Sequence, residues 1–276
     1  MIYLLINYAR SGGTLVSKII ASQPNVVFLS EVNPNHNAVY SPAQQANLWY
    51  NLNINEGLNY SQQVSEIHKK CIAQGKHLII RDFSFIDFTP HQLNNFKPKG
   101  NFSNWELLKT IAEVKPIAFV RNAIDVWISR DCPPSFSEGY KNYAELLIKG
   151  NFPLFKYEAF CKNPLQTLKN IEAVWGLENW NYKPSMLNYK NITGDNQLKQ
   201  TSRGGKQNTV KSLKRKQLPK KLIHSLHKDL NLLEANNLLG YTTNYLENTE
   251  NTKNQTWLNF KHFGRTIKGT YPSVEY

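Results

Sequence analysis

The sequence predicts an α/β protein organised around a parallel sheet. Two observations carry that expectation. Short unbroken apolar runs have the length of strands buried on both faces. Segments with apolar residues at helical spacing lie between them, so strand and helix alternate as βαβ units require.

The first run is Met1–Ile6 (MIYLLI), a strand followed by a polar, glycine-containing loop and a helix over Thr14–Ser22 that Pro24 ends. Val26–Leu29 (VVFL) predicts a second strand closing at Ser30 and Glu31. Residues 32–63 are rich in Asn, Gln, Tyr and Trp with weak periodicity, and are expected to form loops and short helices. Val64, Ile67, His68, Cys71 and Ile72 make a helical stripe that stops at Gly75. Leu78–Ile80 is the third strand and runs into Arg81-Asp82-Phe83. A helix over Asn104–Val114 precedes the fourth strand, Ile117–Val120, and Ala123–Arg130 is helical again. A helix near Glu138–Lys149 leads to a fifth strand at Leu154–Tyr157, then to a helix from Pro164 to Trp175. Beyond Gly176 one helix is expected near Lys220–Asn236. The main domain is assigned to residues 1–247. Residues 248–276 form a polar tail holding a short aromatic segment, Trp257–Phe263.

Composition excludes several classes. No apolar run approaches the roughly 18 residues of a membrane span, and the first strand leaves no room for a leader. The three cysteines (Cys71, Cys132, Cys161) are widely spaced with no C-x-x-C pair, which suits a reducing compartment and no cysteine metal site. A cytoplasmic protein with no membrane partner is expected. The formal charge is +13, and nine basic residues with no acidic one lie between Arg203 and Lys228, leaving +4 for the rest. Such a stretch points to an anionic partner. No nucleic-acid module accompanies it, so nucleic acid is not the expected ligand, and a solvated face is an equal reading of the run.

The loop Asn7–Thr14 (NYARSGGT) joins a buried strand to a helix. Adjacent glycines let its backbone close on a ligand, and its amides converge with the positive end of the helix, an anion site. The nucleotide-hydrolysing pattern G-x-x-x-x-G-K-S/T fits poorly, because alignment on Gly12 puts Asn7 at the first glycine and Gly13 at the lysine. Arg10 supplies a cation from inside the loop instead.

What Arg10-Ser11-Gly12-Gly13-Thr14-Leu15 does resemble is the 5′-phosphosulfate loop of the PAPS-dependent sulfotransferases, Lys/Arg-Ser-Gly-Thr/Ser-Thr/Ser-Leu/Trp, with Gly13 as the departure. Arg121-Asn122-Ala123-Ile124-Asp125-Val126-Trp127-Ile128-Ser129 is similar to that family's 3′-phosphate motif, in which Arg121 and Ser129 bind phosphate and Asp125 braces the loop. Lys156-Tyr157-Glu158-Ala159-Phe160 with Asn163-Pro164 resembles a further, structural element of the family. Ser202-Arg203-Gly204 is similar to a basic loop that closes over the 3′-phosphate, with Gly204 in place of a lysine.

The resemblance implies a three-layer P-loop NTPase-like fold, a central parallel sheet flanked by helices. It implies transfer of the sulfuryl group of PAPS (3′-phosphoadenosine 5′-phosphosulfate) to a hydroxyl or amine of a small-molecule or glycan acceptor. PAP, 3′-phosphoadenosine 5′-phosphate, is released and no metal is needed. The cofactor-binding set is Arg10, Ser11, Gly12, Gly13, Thr14, Leu15, Arg121, Ser129, Arg203 and Gly204. Arg10 also stabilises developing charge. Glu31 is the expected base and Asp82 the second choice, on the expectation that Arg81 pairs with Asp82 and lowers its pKa. His77 begins its strand and so lies away from the loop. His36, Tyr40, Trp49 and Tyr50 are pocket-lining candidates. The rival readings are an ATP-dependent small-molecule kinase, which needs magnesium and the missing lysine, and a non-catalytic anion- or nucleic-acid-binding protein using Arg203–Lys228. The sequence names neither the acceptor nor the oligomeric state.

Overall fold

The computed structural model describes residues 1–35, 40–89, 98–133, 135–193, 209–212, 215, 218 and 220–243. Five strands, β1 (Ile2–Asn7), β2 (Val26–Val32), β3 (His77–Asp82), β4 (Val114–Val120) and β5 (Leu154–Lys156), form one sheet in the order β2-β3-β1-β4-β5. Every pairing is parallel. The continuous apolar runs have their cause here, since each strand of such a sheet is covered on both faces. All six residues of β1 are buried. Because successive side chains alternate, Ile2, Leu4 and Ile6 join one core and Tyr3 and Leu5 the other.

Three layers result. Helices α2 (Pro42–Tyr50), α3 (Tyr60–Ala73), α4 (Ser103–Leu108), α5 (Ala123–Ser129) and α6 (Phe136–Lys149) cover the first face, together with α9 (Lys220–Lys228) and α10 (Leu230–Leu238). Helices α1 (Gly13–Ala21), α7 (Tyr157–Lys162) and α8 (Pro164–Trp175) cover the second through Val16, Ile19, Tyr157, Phe160 and Trp175. Each such fully buried side chain contributes about 1.5–3 kcal/mol. Local signals set the helix starts: Ser41 with Gln44, and Asn59 with Gln62, close reciprocal capping boxes on α2 and α3.

Several boundaries differ from expectation. The helix assigned to Asn104–Val114 ends at Leu108, because pairing of Val114 with Ile2 draws residues 114–116 into β4. The single helix expected over Lys220–Asn236 is two, split where the Asp229 side chain accepts from Leu232 N (3.1 Å) and starts α10. Strand β2 runs past Glu31 to Val32, with a register irregularity between Leu29 and Val32. The segment after β5 is itself a helix, α7. No helix among the described residues is long and apolar enough to cross a membrane. The assigned boundary at residue 247 and the aromatic segment Trp257–Phe263 lie outside the described residues.

The strand order sets the place of the site. From β1 the chain leaves toward β2 and β3, and from β4 it leaves toward β5. Ligands of open α/β sheets bind in the crevice at such a switch, outside the carboxyl ends of the strands. The loop Tyr8–Gly12 and residues Arg121–Asn122 stand at that end.

Candidate functional site

The β1–α1 loop is shaped by close packing on both of its glycines. Gly12 sits at φ 87°, and a Cβ there would stand 2.4 Å from Tyr157 Cδ2. At Gly13 a Cβ would stand 2.2 Å from the Asn7 amide nitrogen. Gly13, the departure from the sulfotransferase pattern, thus has a local cause: the Asn7 side chain fills the space a Thr or Ser would take. Arg10 also adopts positive φ, 75°. Helix α1 begins with no side-chain cap and no acidic residue in its first turn. Leu15 N and Val16 N bond to Gly12 O (3.0 and 3.3 Å), while the amides of Gly13 and Thr14, with no partner among the described residues, remain available to an anion.

The start of α5 differs. Its amides are taken by protein groups, Ala123 N by Asn236 Oδ1 (2.7 Å) and Ile124 N by Asn122 Oδ1 (3.0 Å). What this turn offers is side chains. Arg121 is buried, donates from Nη1 to the Arg10 carbonyl (3.2 Å), and lies 4.8 Å over the Tyr157 ring. Its buried Nε has no hydrogen-bond partner among the described residues. Ser129 Oγ accepts from Arg10 Nε at 3.0 Å. The two motifs therefore meet, Arg10 and Ser129 in direct contact and Arg121 beneath the loop. Asp125 pairs with the fully buried Arg215 (2.8 Å), so one member of the basic stretch is a clamp on α5 rather than a solvated charge.

Tyr157 is a residue to which the sequence reading gave no role in the site. It forms the floor against which Gly12 packs and over which Arg121 lies, and its hydroxyl donates to the Lys211 carbonyl (3.4 Å). The adjacent Glu158 accepts from the Tyr241 hydroxyl (2.6 Å) and is raised in pKa, burial being the largest cause.

Glu31 stands at φ 55° at the register irregularity of β2, half-buried. It accepts from Arg81 Nη2 (2.8 Å) through Oε1 and from the Thr193 hydroxyl (3.1 Å) through Oε2. Arg81 donates from Nε to Asn7 Oδ1 (2.9 Å), so one buried guanidinium joins the carboxylate to the strand end that carries the loop. The expected Arg81–Asp82 pair is corrected here. Neighbours on a strand point to opposite faces, and Asp82 faces the α3–α4 side. It accepts from Ser84 Oγ (2.6 Å), Asn33 Nδ2 (3.2 Å) and Asn104 Nδ2 (3.2 Å). Its pKa is pushed up to about 7, by burial first and by the Asp87 carboxylate second, the reverse of the expected direction. Asp87 in turn accepts from Asn33, Asn35 and Ser103, which ties the β2–α2 loop to the start of α4.

Other candidates fall elsewhere. His77 opens β3 and packs edge-on against Tyr3, at the opposite end of the sheet from the loop. Tyr50 is held by the backbone of Phe28, and Tyr40 contacts Trp49. Arg203, Gly204 and His36 lie outside the described residues. Among the described residues no group of three or more His, Cys, Asp or Glu side chains could hold a metal ion.

No family model matches the chain, and no curated protein matches it. Solved structures do. The sulfotransferase domain from the Synechococcus PCC 7002 olefin synthase aligns at 14% identity and TM-score 0.51, covering 87% of this chain and 94% of that one. The sulfotransferase domain from the curacin biosynthetic pathway aligns at 14% identity and TM-score 0.50, covering 87% and 97%. The mouse sulfotransferase SULT7A1 in complex with PAP overlaps more loosely, at 17% identity and TM-score 0.37 over 65% of this chain and 60% of that one. The first two likenesses, spread over nearly the whole of both chains, show the fold.

Proposed function

We propose that this chain is a sulfotransferase that takes the sulfuryl group of PAPS to a hydroxyl or amine of a small-molecule or glycan acceptor. The observation that carries the reading is the convergence of two anion-binding motifs on one crevice, in a fold like that of sulfotransferase domains. The residues fit such a ligand. The uncapped amides of α1 suit the 5′-phosphosulfate. Arg121, with its unpartnered Nε, and Ser129 suit the 3′-phosphate. A Cβ at Gly12 would meet the Tyr157 ring and one at Gly13 the Asn7 side chain, so the loop keeps this course with glycine at both positions.

In this reading the acceptor oxygen attacks sulfur as the bond from sulfur to the 5′-phosphate oxygen breaks. The electron pair stays on that phosphate oxygen, and the acceptor proton passes to Glu31. Arg10, the loop amides and Thr14 stabilise the charge that develops on the leaving oxygen. Catalysis of this kind relies on positioning more than on covalent help. Arg81 and Thr193 hold Glu31 in place. Asp82, engaged by three donors on the other face of β3, is the less suited base. Arg203 and Gly204 are proposed to complete the 3′-phosphate site.

The test is transfer of label from sulfur-labelled PAPS to a panel of phenols, alcohols and amines, compared with phosphate transfer from ATP with magnesium. Label transfer that disappears in Glu31→Gln supports the proposal. Phosphate transfer without sulfuryl transfer would replace it with the kinase reading.

A further inference from the structure

Arg130 is absent from both motifs and from the roles assigned above. It follows Ser129 at the end of α5, where its N–H bonds to Trp127 O (3.1 Å), and the two residues after it, Asp131 and Cys132, both adopt left-handed backbone (φ 61° and 55°). The chain reverses there, and the side chain is thrown back across the sheet. Its guanidinium carbon lies 5.0 Å over the ring of Phe85, in the turn that follows β3. Since β1 lies between β3 and β4, an arginine rooted after β4 that reaches Phe85 crosses the carboxyl end of β1. Below it Phe85 and Tyr8 form an apolar floor, 5% and 0% exposed. On the reading above, that is the gap between the sulfuryl donor at the β1–α1 loop and the base at the end of β2.

Among the described residues this guanidinium has no matching acceptor. Its buried Nε lacks a hydrogen-bond partner, and no carboxylate lies within ion-pair distance, among the described residues. A ring face attracts the cation but satisfies none of its five directed donors. Attraction to the carboxyl end of a seven-residue helix does not account for the reach to Phe85. Arg130 is half-buried with its Nε covered, and an arginine fork matches planar or tetrahedral oxyanions. We propose that Arg130 binds an anionic group of the acceptor, a carboxylate, phosphate or sulfate ester carried on the molecule that is sulfated. The proposal rests on the sulfotransferase reading for the word acceptor and on the geometry alone for the anion.

The experiment is calorimetric titration of inorganic phosphate and of acetate into the full chain, free and saturated with PAP, for wild type, Arg130→Met and Arg130→Lys. The expected result is a weak second site on the PAP-saturated wild type, reduced roughly tenfold or more in Arg130→Met and partly restored in Arg130→Lys. PAP affinity should stay unchanged in all three. Preference for phosphate would point to a phosphorylated or sulfated acceptor, and preference for acetate to a carboxylate. The proposal is overturned by equal anion affinity in wild type and Arg130→Met, by no anion binding to the loaded wild type, or by loss of PAP affinity in Arg130→Met. Should wild type bind no PAP, the donor reading fails separately. The free-protein titration then still decides whether Arg130 holds an anion.

Discussion

The two halves of the crevice are built on opposite principles. On the β1–β4 side, donors are left open: the α1 amides have no cap, and Arg121 Nε is buried without a partner among the described residues. On the β2–β3 side, polar groups are spent on one another, with Asp82 and Asp87 accepting from Asn33, Asn35, Ser84, Ser103 and Asn104. Open donors stabilise nothing until an anion arrives, whereas closed networks hold the frame. The first half leaves donors open, and the second ties the β2–α2 loop to the start of α4.

Four substitutions would break or sharpen that contrast. The largest effect is expected from Glu31→Gln, which should lower turnover by about 10²–10⁴-fold and leave PAP affinity unchanged, read by label transfer and calorimetry. Next, Asp87→Ala removes the common acceptor of several buried donors. It should lower unfolding stability by at least about 3 kcal/mol, measured in urea, while PAP affinity is preserved. Arg121→Ala should do the opposite, weakening PAP by about 10–100-fold, the scale of a hydrogen bond to a charged group, with little change in the urea midpoint. An Arg121→Ala protein that unfolds more easily yet binds PAP normally would erase the distinction.

The last of the four concerns pH. Asp82 has a folded pKa near 7 against an unfolded value of about 3.9. The native state therefore holds the proton more tightly, and this contribution to stability is complete below pH about 4 and lost as pH rises through 7. Asp87, raised as well by burial, Ser84, Asn33 and Asn104 are the groups that face it. Asp82→Asn should flatten the decline in stability between pH about 4 and pH about 7, and an unchanged slope would contradict the assignment.

Local sequence carried the two βα turns on the β1–β4 side. A continuous apolar run, a glycine pair and the Arg121–Ser129 spacing all lie within short segments, and each maps onto one βα turn. Contacts between remote segments were less legible: Asp125 meets Arg215 ninety residues on, and Tyr157 reaches Gly12 only because β5 lies beside β4 and β4 beside β1. One misreading had a signal available. Arg81 and Asp82 are neighbours on a strand, and the two-residue alternation already directs Arg81 away from Asp82 and toward the side where Glu31 stands.

The most direct test of the central claim is calorimetric titration of the chain with PAP, set beside ADP, AMP and ATP with magnesium. The account predicts metal-independent binding at micromolar or tighter affinity that requires the 3′-phosphate and is weakened in Arg121→Ala. Preference for ATP with magnesium, or equal affinity with and without the 3′-phosphate, would contradict it.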